Sequence, residues 1–240
     1  MKSIKNASLE EREEKILTEF EKGNLPSFLR RLVPIHIAHE NNGKKHKITV
    51  WVMPDYLSIG SDDDFVRIPM NPVTAQKIAD YYGLLLPTTI IVDEVYRQAK
   101  IKLKPSNMPP GPEMTSIDFY LNHNKRIEDQ LKGKSHGALT AGHKKDIVVT
   151  NRLNNTPTRR VAIYGWHRTL RDTGTPIQPL SVVHGVKYAD YSHGIRLVGR
   201  GVVIDGMEYD LEDVLKDKAF AFLLSKEGAL LSTKIPLDCS

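Results

Sequence analysis

The densest gathering of groups able to move protons lies between Arg160 and Val198. Three of the nine histidines, His167, His184 and His193, fall here with Asp190, Ser192, Arg196, Tyr164, Tyr188 and Tyr191. An imidazole changes charge close to neutral pH, so it can take a proton and return it, and a nearby carboxylate can orient it. This marks His193 with Asp190 as an acid/base pair, His184 and Ser192 as their companions, and Arg196 as the holder of an anion or oxyanion. Ser192 beside His193 supplies the residue types of a nucleophile and its base. Neighbours on a strand point to opposite faces, however, so a hydrogen-bonding role comes first for Ser192.

A second set has the types of a hydrolytic zinc site, which needs about three nitrogen or oxygen ligands and one open position. His143, Asp146 and His167 are the candidate ligands, and zinc is the one cofactor this pattern suggests. Against catalysis stands a binding module, in which Tyr164, Trp166, Tyr188 and Tyr191 form a stacking platform for a peptide or glycan. His36, His39 and His46 fall in and around a polar span, His39 to Lys47, that reads as a loop without fixed ligand geometry. The acidic run after Gly60, Asp62 to Asp64, reads as a turn between strands, because a calcium loop of that kind needs flanking helices and a closing Glu.

Two local resemblances follow from these motifs. His184-Gly185 followed by Ser192-His193-Gly194-Ile195-Arg196 resembles the active-site signature of the L,D-transpeptidases, a His-Gly ahead of Ser-His-Gly-Cys-x-Arg. Ile195 stands where that family has its nucleophilic cysteine and the gap is short, which argues against thiol transpeptidation. His123-Asn124, Ser135-His136 and Gly142-His143 through Asp146 are similar to zinc D-alanyl-D-alanine peptidases, with different ligand spacing. Each resemblance covers a few tens of residues, and both imply a cell-wall-like peptide substrate.

The elements that must carry these residues are readable in part. Ser8-Leu9-Glu10-Glu11 is a capping box opening an amphipathic helix that Gly23 stops. Ser27 to Leu32 predicts a short helix closed by Pro34. Asn71-Pro72 and Thr88 start two more helices, and Ser116 to Leu131 another. Lys47 to Met53, Tyr56 to Ile59 and Phe65 to Met70 predict a three-stranded meander. Asp146 to Thr150 and Arg160 to Tyr164 predict a hairpin. Ile195 to Ile204 continues the sheet to a turn at Asp205-Gly206, and Asp210 to Leu224 closes the chain as a helix. The class expected is α+β, with N-terminal helices and a meander, then a mostly antiparallel sheet and a closing helix. Residues 1–240 are expected to form a single domain, with the Pro-rich stretch Lys104 to Glu113 as the place of any subdivision. On this reading His167, His184 and His193 should share one cleft.

Composition limits the partners. Forty per cent apolar and 26% charged residues suit a soluble chain that folds without staples. Scattered basic pairs give a net charge of +5, with no zinc-finger or RNP pattern to turn them towards nucleic acid. Cys239 is the single cysteine, at the end of the chain, so neither an internal disulfide nor a catalytic thiol is expected. No apolar run approaches a bilayer span and no signal-peptide core is present, which suits a cytoplasmic or mature secreted protein. The overall expectation is a hydrolase of amide or peptide bonds, acting on a small peptide or glycan-peptide.

Overall fold

A computed structural model describes residues 4–41, 43–156, 158–169 and 174–235; Cys239 lies outside them. The chain opens with α1 (Leu9–Glu21), where Ser8 Oγ accepts from Glu11 N–H and the Glu11 carboxylate accepts from Ser8 N–H. A 3-10 turn at Ser27–Arg30 leads into β1 (Val33–Asn41) and β2 (Lys44–Val52), then the short hairpin β3 (Ser58–Gly60) and β4 (Phe65–Arg67). Next come α2 (Pro72–Tyr81), α3 (Thr89–Gln98), β5 (Ile101–Lys102) and α4 (Ile117–Leu131). Asn71, Thr88 and Ser116 cap the three helices through their side-chain oxygens, satisfying first-turn N–H groups that no helix bond reaches.

The second half holds β6 (Thr140–Ala141), β7 (Lys145–Ile147), β8 (Ile163–His167), β9 (Pro176–Ser181), β10 (His193–Gly194), β11 (Val198–Ile204) and β12 (Met207–Asp210), then α5 (Leu211–Lys216). One four-stranded sheet runs β1-β2-β11-β12, all antiparallel. The other runs β10-β7-β8-β9, with β10 and β7 parallel and the remaining pairs antiparallel. A shared core spans both halves of the chain, from Phe20, Ile35 and Ile78 to Ile117, Ile195 and Leu215. The architecture is α+β with mostly antiparallel sheets, and among the described residues no helix is long and apolar enough to cross a membrane.

Several local expectations are corrected. The polar span from His39 to Lys47 is the end of a long hairpin, not a loop; His39 and His46 are register partners, and His46 Nδ1 lies 2.8 Å from Asp205 Oδ2. A hairpin tip beyond the core carries polar side chains on both faces, so alternation fades there. The meander does not form, because β2 pairs with β1 and β11 while β3 pairs only with β4. Pro34 is the second residue of a strand rather than the end of a helix, on the sheet edge where its missing N–H costs nothing. The closing helix also ends early, at Lys216. Asp217 turns extended and its Oδ1 accepts from Ala219 and Phe220 N–H, a side-chain turn that competes with helix. The hairpin expected of β7 and β8 does form, with Asp146 opposite Tyr164.

Candidate functional site

The parallel pair β10–β7 places His193 beside Lys145 and Gly194 beside Asp146. His193 is fully buried, and neither ring nitrogen has a hydrogen-bond partner among the described residues. Its Nε2 lies 3.8 Å from Asp190 Oδ2, just outside hydrogen-bond range. Burial pushes the imidazole down to about 4, with the Asp190 charge opposing and Lys145 and His184 adding to the effect. The ring is therefore neutral at pH 7. Burial alone would raise Asp190, but the imidazolium that His193 forms in the acid range, the Ser192 hydrogen bonds and Lys145 hold it below the ordinary carboxylate range. The pair thus has the charge states of a base and the anion that steadies it.

Asp190 is well fixed. Its Oδ1 accepts from Ser192 Oγ at 2.6 Å and Ser192 N–H at 2.7 Å, and its Oδ2 accepts from Tyr188 Oη at 3.1 Å. Ser192 therefore orients the carboxylate, and its hydroxyl proton is committed there. Tyr188 links the remaining member: its ring stacks on His184 at 4.2 Å and meets His193 edge-on at 5.7 Å. His184, Tyr188 and Lys145 are half-buried, and they form the rim over the buried His193.

The other expected residues sort into a second group around Tyr56. Tyr56 Oη donates to Asp146 Oδ2 at 2.9 Å, and the His143 ring meets the Tyr56 ring edge-on at 4.9 Å. His143 Nε2 is 3.1 Å from Asp55 Oδ1, and Arg67 grips the other Asp55 oxygen through Nε at 2.9 Å and Nη2 at 2.6 Å. Burial lowers His143 to about 4 despite Asp55, and raises Asp146 to about 6 despite Arg196, Tyr56 and His167. Arg196 is buried over the Tyr56 ring and donates to the Met53 and Thr140 carbonyls, each at 2.6 Å. Its guanidinium ties chain segments together and has no open face for a substrate oxyanion.

His167 belongs to a third setting. Asp93 accepts from His167 Nε2 at 3.1 Å, Tyr164 Oη at 2.8 Å and Lys226 Nζ at 2.7 Å, while the His167 ring stacks on Tyr96 at 4.3 Å. His167 approaches Asp146 across Gly165, where a methyl group would lie 3.5 Å from both Asp146 Oδ2 and His167 Cε1. With φ at +110°, only glycine sits there without strain. The shared cleft expected of the histidines thus gathers His184 and His193 on Tyr188, whereas the contacts of His167 are with Asp93, Tyr96 and Tyr164. Of the three candidate zinc ligands, Asp146 and His167 both border Gly165 but bond to Tyr56 and Asp93 respectively, and His143 turns to Asp55. Among the described residues no three His, Cys, Asp or Glu side chains are grouped to hold a metal ion.

The aromatic platform is also divided. Tyr164, Trp166 and Tyr191 are buried, with Tyr164 Oη on Asp93 and Tyr191 Oη accepting from Met108 N–H. Only Tyr188, stacked with His184, presents a partly open aromatic face.

Sequence reasoning missed Asp55, Tyr56, Arg67, Asp93, Lys144 and Lys145. Lys144 is buried with its ammonium donating to the Tyr191 carbonyl at 2.6 Å, and burial with the Arg67 charge brings it down to about 7. The signal available was Lys144-Lys145 inside an otherwise strand-like run ending in Asp146, a place where charges are rarely buried without a purpose.

No family model, curated protein or solved structure matches this chain. Its function must be argued from the site alone.

Gly194 shows how tightly that site is built. Its backbone is ordinary, yet a methyl group there would lie 2.6 Å from Tyr56 Cδ1 and 2.7 Å from Lys144 Cβ. Gly194→Ala is expected to destabilise the protein by about 1–3 kcal/mol, the usual cost of overpacking. An unchanged urea midpoint would show that Tyr56 yields freely.

Proposed function

We propose that the protein is a hydrolase acting on amide bonds of a small peptide or glycan-peptide, with His193 as its acid/base group. One observation carries the reading. A fully buried histidine with both ring nitrogens unpartnered among the described residues stands 3.8 Å from a carboxylate held by three other donors. Burying imidazole nitrogens without partners costs about 1–3 kcal/mol each, so packing alone gives no reason to keep them. In the reaction His193 takes a proton from water as its oxygen attacks the carbonyl carbon. Asp190 steadies the imidazolium, and the same proton passes to the amine as the C–N bond breaks. Such contacts are commonly long before substrate arrives and tighten in the complex. His184 and Tyr188 provide the rim on which the substrate seats.

The test is hydrolysis of a peptide and glycopeptide panel, followed by mass spectrometry, with added zinc and with a chelator in parallel. His193→Gln is expected to lower kcat by about 10²–10⁴-fold, and Asp190→Asn by somewhat less, with both variants folded. The unmodified chain should lose activity as pH falls towards about 4, where His193 takes up its proton. Binding without any product would favour the peptide- or glycan-binding reading instead. Full activity in His193→Gln would remove this base from the reaction.

A further inference from the structure

We infer that the site selects substrates bearing a carboxylate and that Lys145 is the group that holds it. The inference rests on the hydrolase reading for its location and deepens it by naming the substrate class. Lys145 is the register partner of His193 across β7 and β10, so the two side chains leave the sheet as neighbours. Its ammonium lies 4.9 Å from the centroid of the Trp166 ring and, among the described residues, makes no hydrogen bond or ion pair. The side chain is half-buried.

An ammonium held against an indole has shed part of its water and gains more from an anion than a fully hydrated one. The charge balance points the same way. The one carboxylate whose charge reaches Lys145 among the described residues is Asp190, whose oxygens already accept from Ser192 and Tyr188, while Lys144 divides its attraction between Asp190 and Asp55. The buried Arg196 guanidinium is committed to the Met53 and Thr140 carbonyls. A single point charge without a nest of backbone N–H groups suits a monoanion better than a phosphoryl group. Beyond His184 the surface continues as a cleft of about 620 Å³, whose lining includes Arg159, Gly185 and Lys187 and no Asp or Glu. Among the described residues, an anionic chain approaching from that side meets no carboxylate in the cleft lining.

The closing experiment is calorimetric titration of the full chain carrying His193→Gln, so that nothing is turned over. The probes are acetyl-alanyl-alanine as free carboxylate and as C-terminal amide. The carboxylate is expected to bind about tenfold tighter or more, the scale of one charge-assisted hydrogen bond. That preference should vanish in Lys145→Met, which keeps an apolar stem against Trp166, and survive in Lys145→Arg. Near-UV circular dichroism of each variant reports whether the Trp166 environment is intact. Equal affinity for the two probes, no saturable binding of the carboxylate, or a preference that persists in Lys145→Met overturns the assignment. Product formation by the unmodified chain is scored separately. A preference without product sinks the hydrolase reading and leaves this one, and product without preference does the reverse.

Discussion

Arg67→Met is expected to lower the unfolding free energy by about 3–5 kcal/mol, the usual result of removing one partner from a buried charge pair. Arg67 is 1% exposed, and its guanidinium serves Asp55 through Nε and Nη2 and Glu128 and Asn124 through Nη1. Burial alone would raise the Asp55 pKa, yet Arg67 and His143 hold it well below the ordinary carboxylate range. Without the guanidinium, Asp55 stays in the interior with the Tyr56 N–H, the His143 ring and the Lys144 charge as neighbours, and burial pushes the His143 imidazole towards neutrality. The measurement is the urea midpoint at constant slope. Arg67→Met with Asp55→Asn should recover part of the loss, because both charges then leave together. A single-variant loss under about 1 kcal/mol would mean that water or proton uptake by Asp55 compensates and that the network does not hold the fold.

Acid should unfold the protein early. His143 and His193 both have folded pKa values of about 4 against an ordinary 6.5. The unfolded chain therefore binds their protons first. Their contribution is intact above about pH 6.5 and is lost as pH falls from there towards 4, each tenfold difference in proton affinity between the two states being worth about 1.4 kcal/mol. Burial moves His123 in the same direction. Asp146 opposes them: raised to about 6, it takes its proton in the folded state first and gains stability between about pH 6 and 4. One carboxylate offsets less than the two imidazoles lose. Lys144, brought down to about 7 from 10.5, adds a slope above neutrality, since between these values only the unfolded chain carries its proton. Stability is thus expected to peak on the alkaline side of neutral and to fall by several kcal/mol between about pH 8 and 4. A thermal midpoint that stays flat from about pH 8 to 5 would contradict these buried neutral imidazoles.

The legible part of the fold was the local part. Ser8, Asn71, Thr88 and Ser116 announced their helices because a cap is a bond between residues two or three apart. The pairing of β7 with β8 was readable from two β-branched runs and the turn residues between them. The partners of β2 were not, since β1 is polar at the hairpin tip and β11 lies some 150 residues downstream. Asp190, Ser192 and His193 were singled out from residue types alone, and the structure places them together, with Ser192 bonded to Asp190 and His193 3.8 Å from it. Arg196 was assigned to substrate because an arginine near histidines suggests an anion holder, and nothing in its neighbours reveals the Met53 and Thr140 carbonyls that occupy it. Asp55, Arg67 and Lys144 escaped notice for the reason that makes them informative: charges are normally solvated, so periodicity alone does not place them inside.

The pairing of Lys145 with His193 also sets an order of events in folding. These two residues are 48 positions apart and lie on parallel strands, and β8 and β9 lie between them in the chain. Parallel contacts of that span form only after the entropy of closing the intervening loop has been met, so they come late. The capped helices and the β7–β8 hairpin can form from nearby residues beforehand. The juxtaposition of Lys145 and His193 is therefore expected among the last steps of folding, after the local elements have formed.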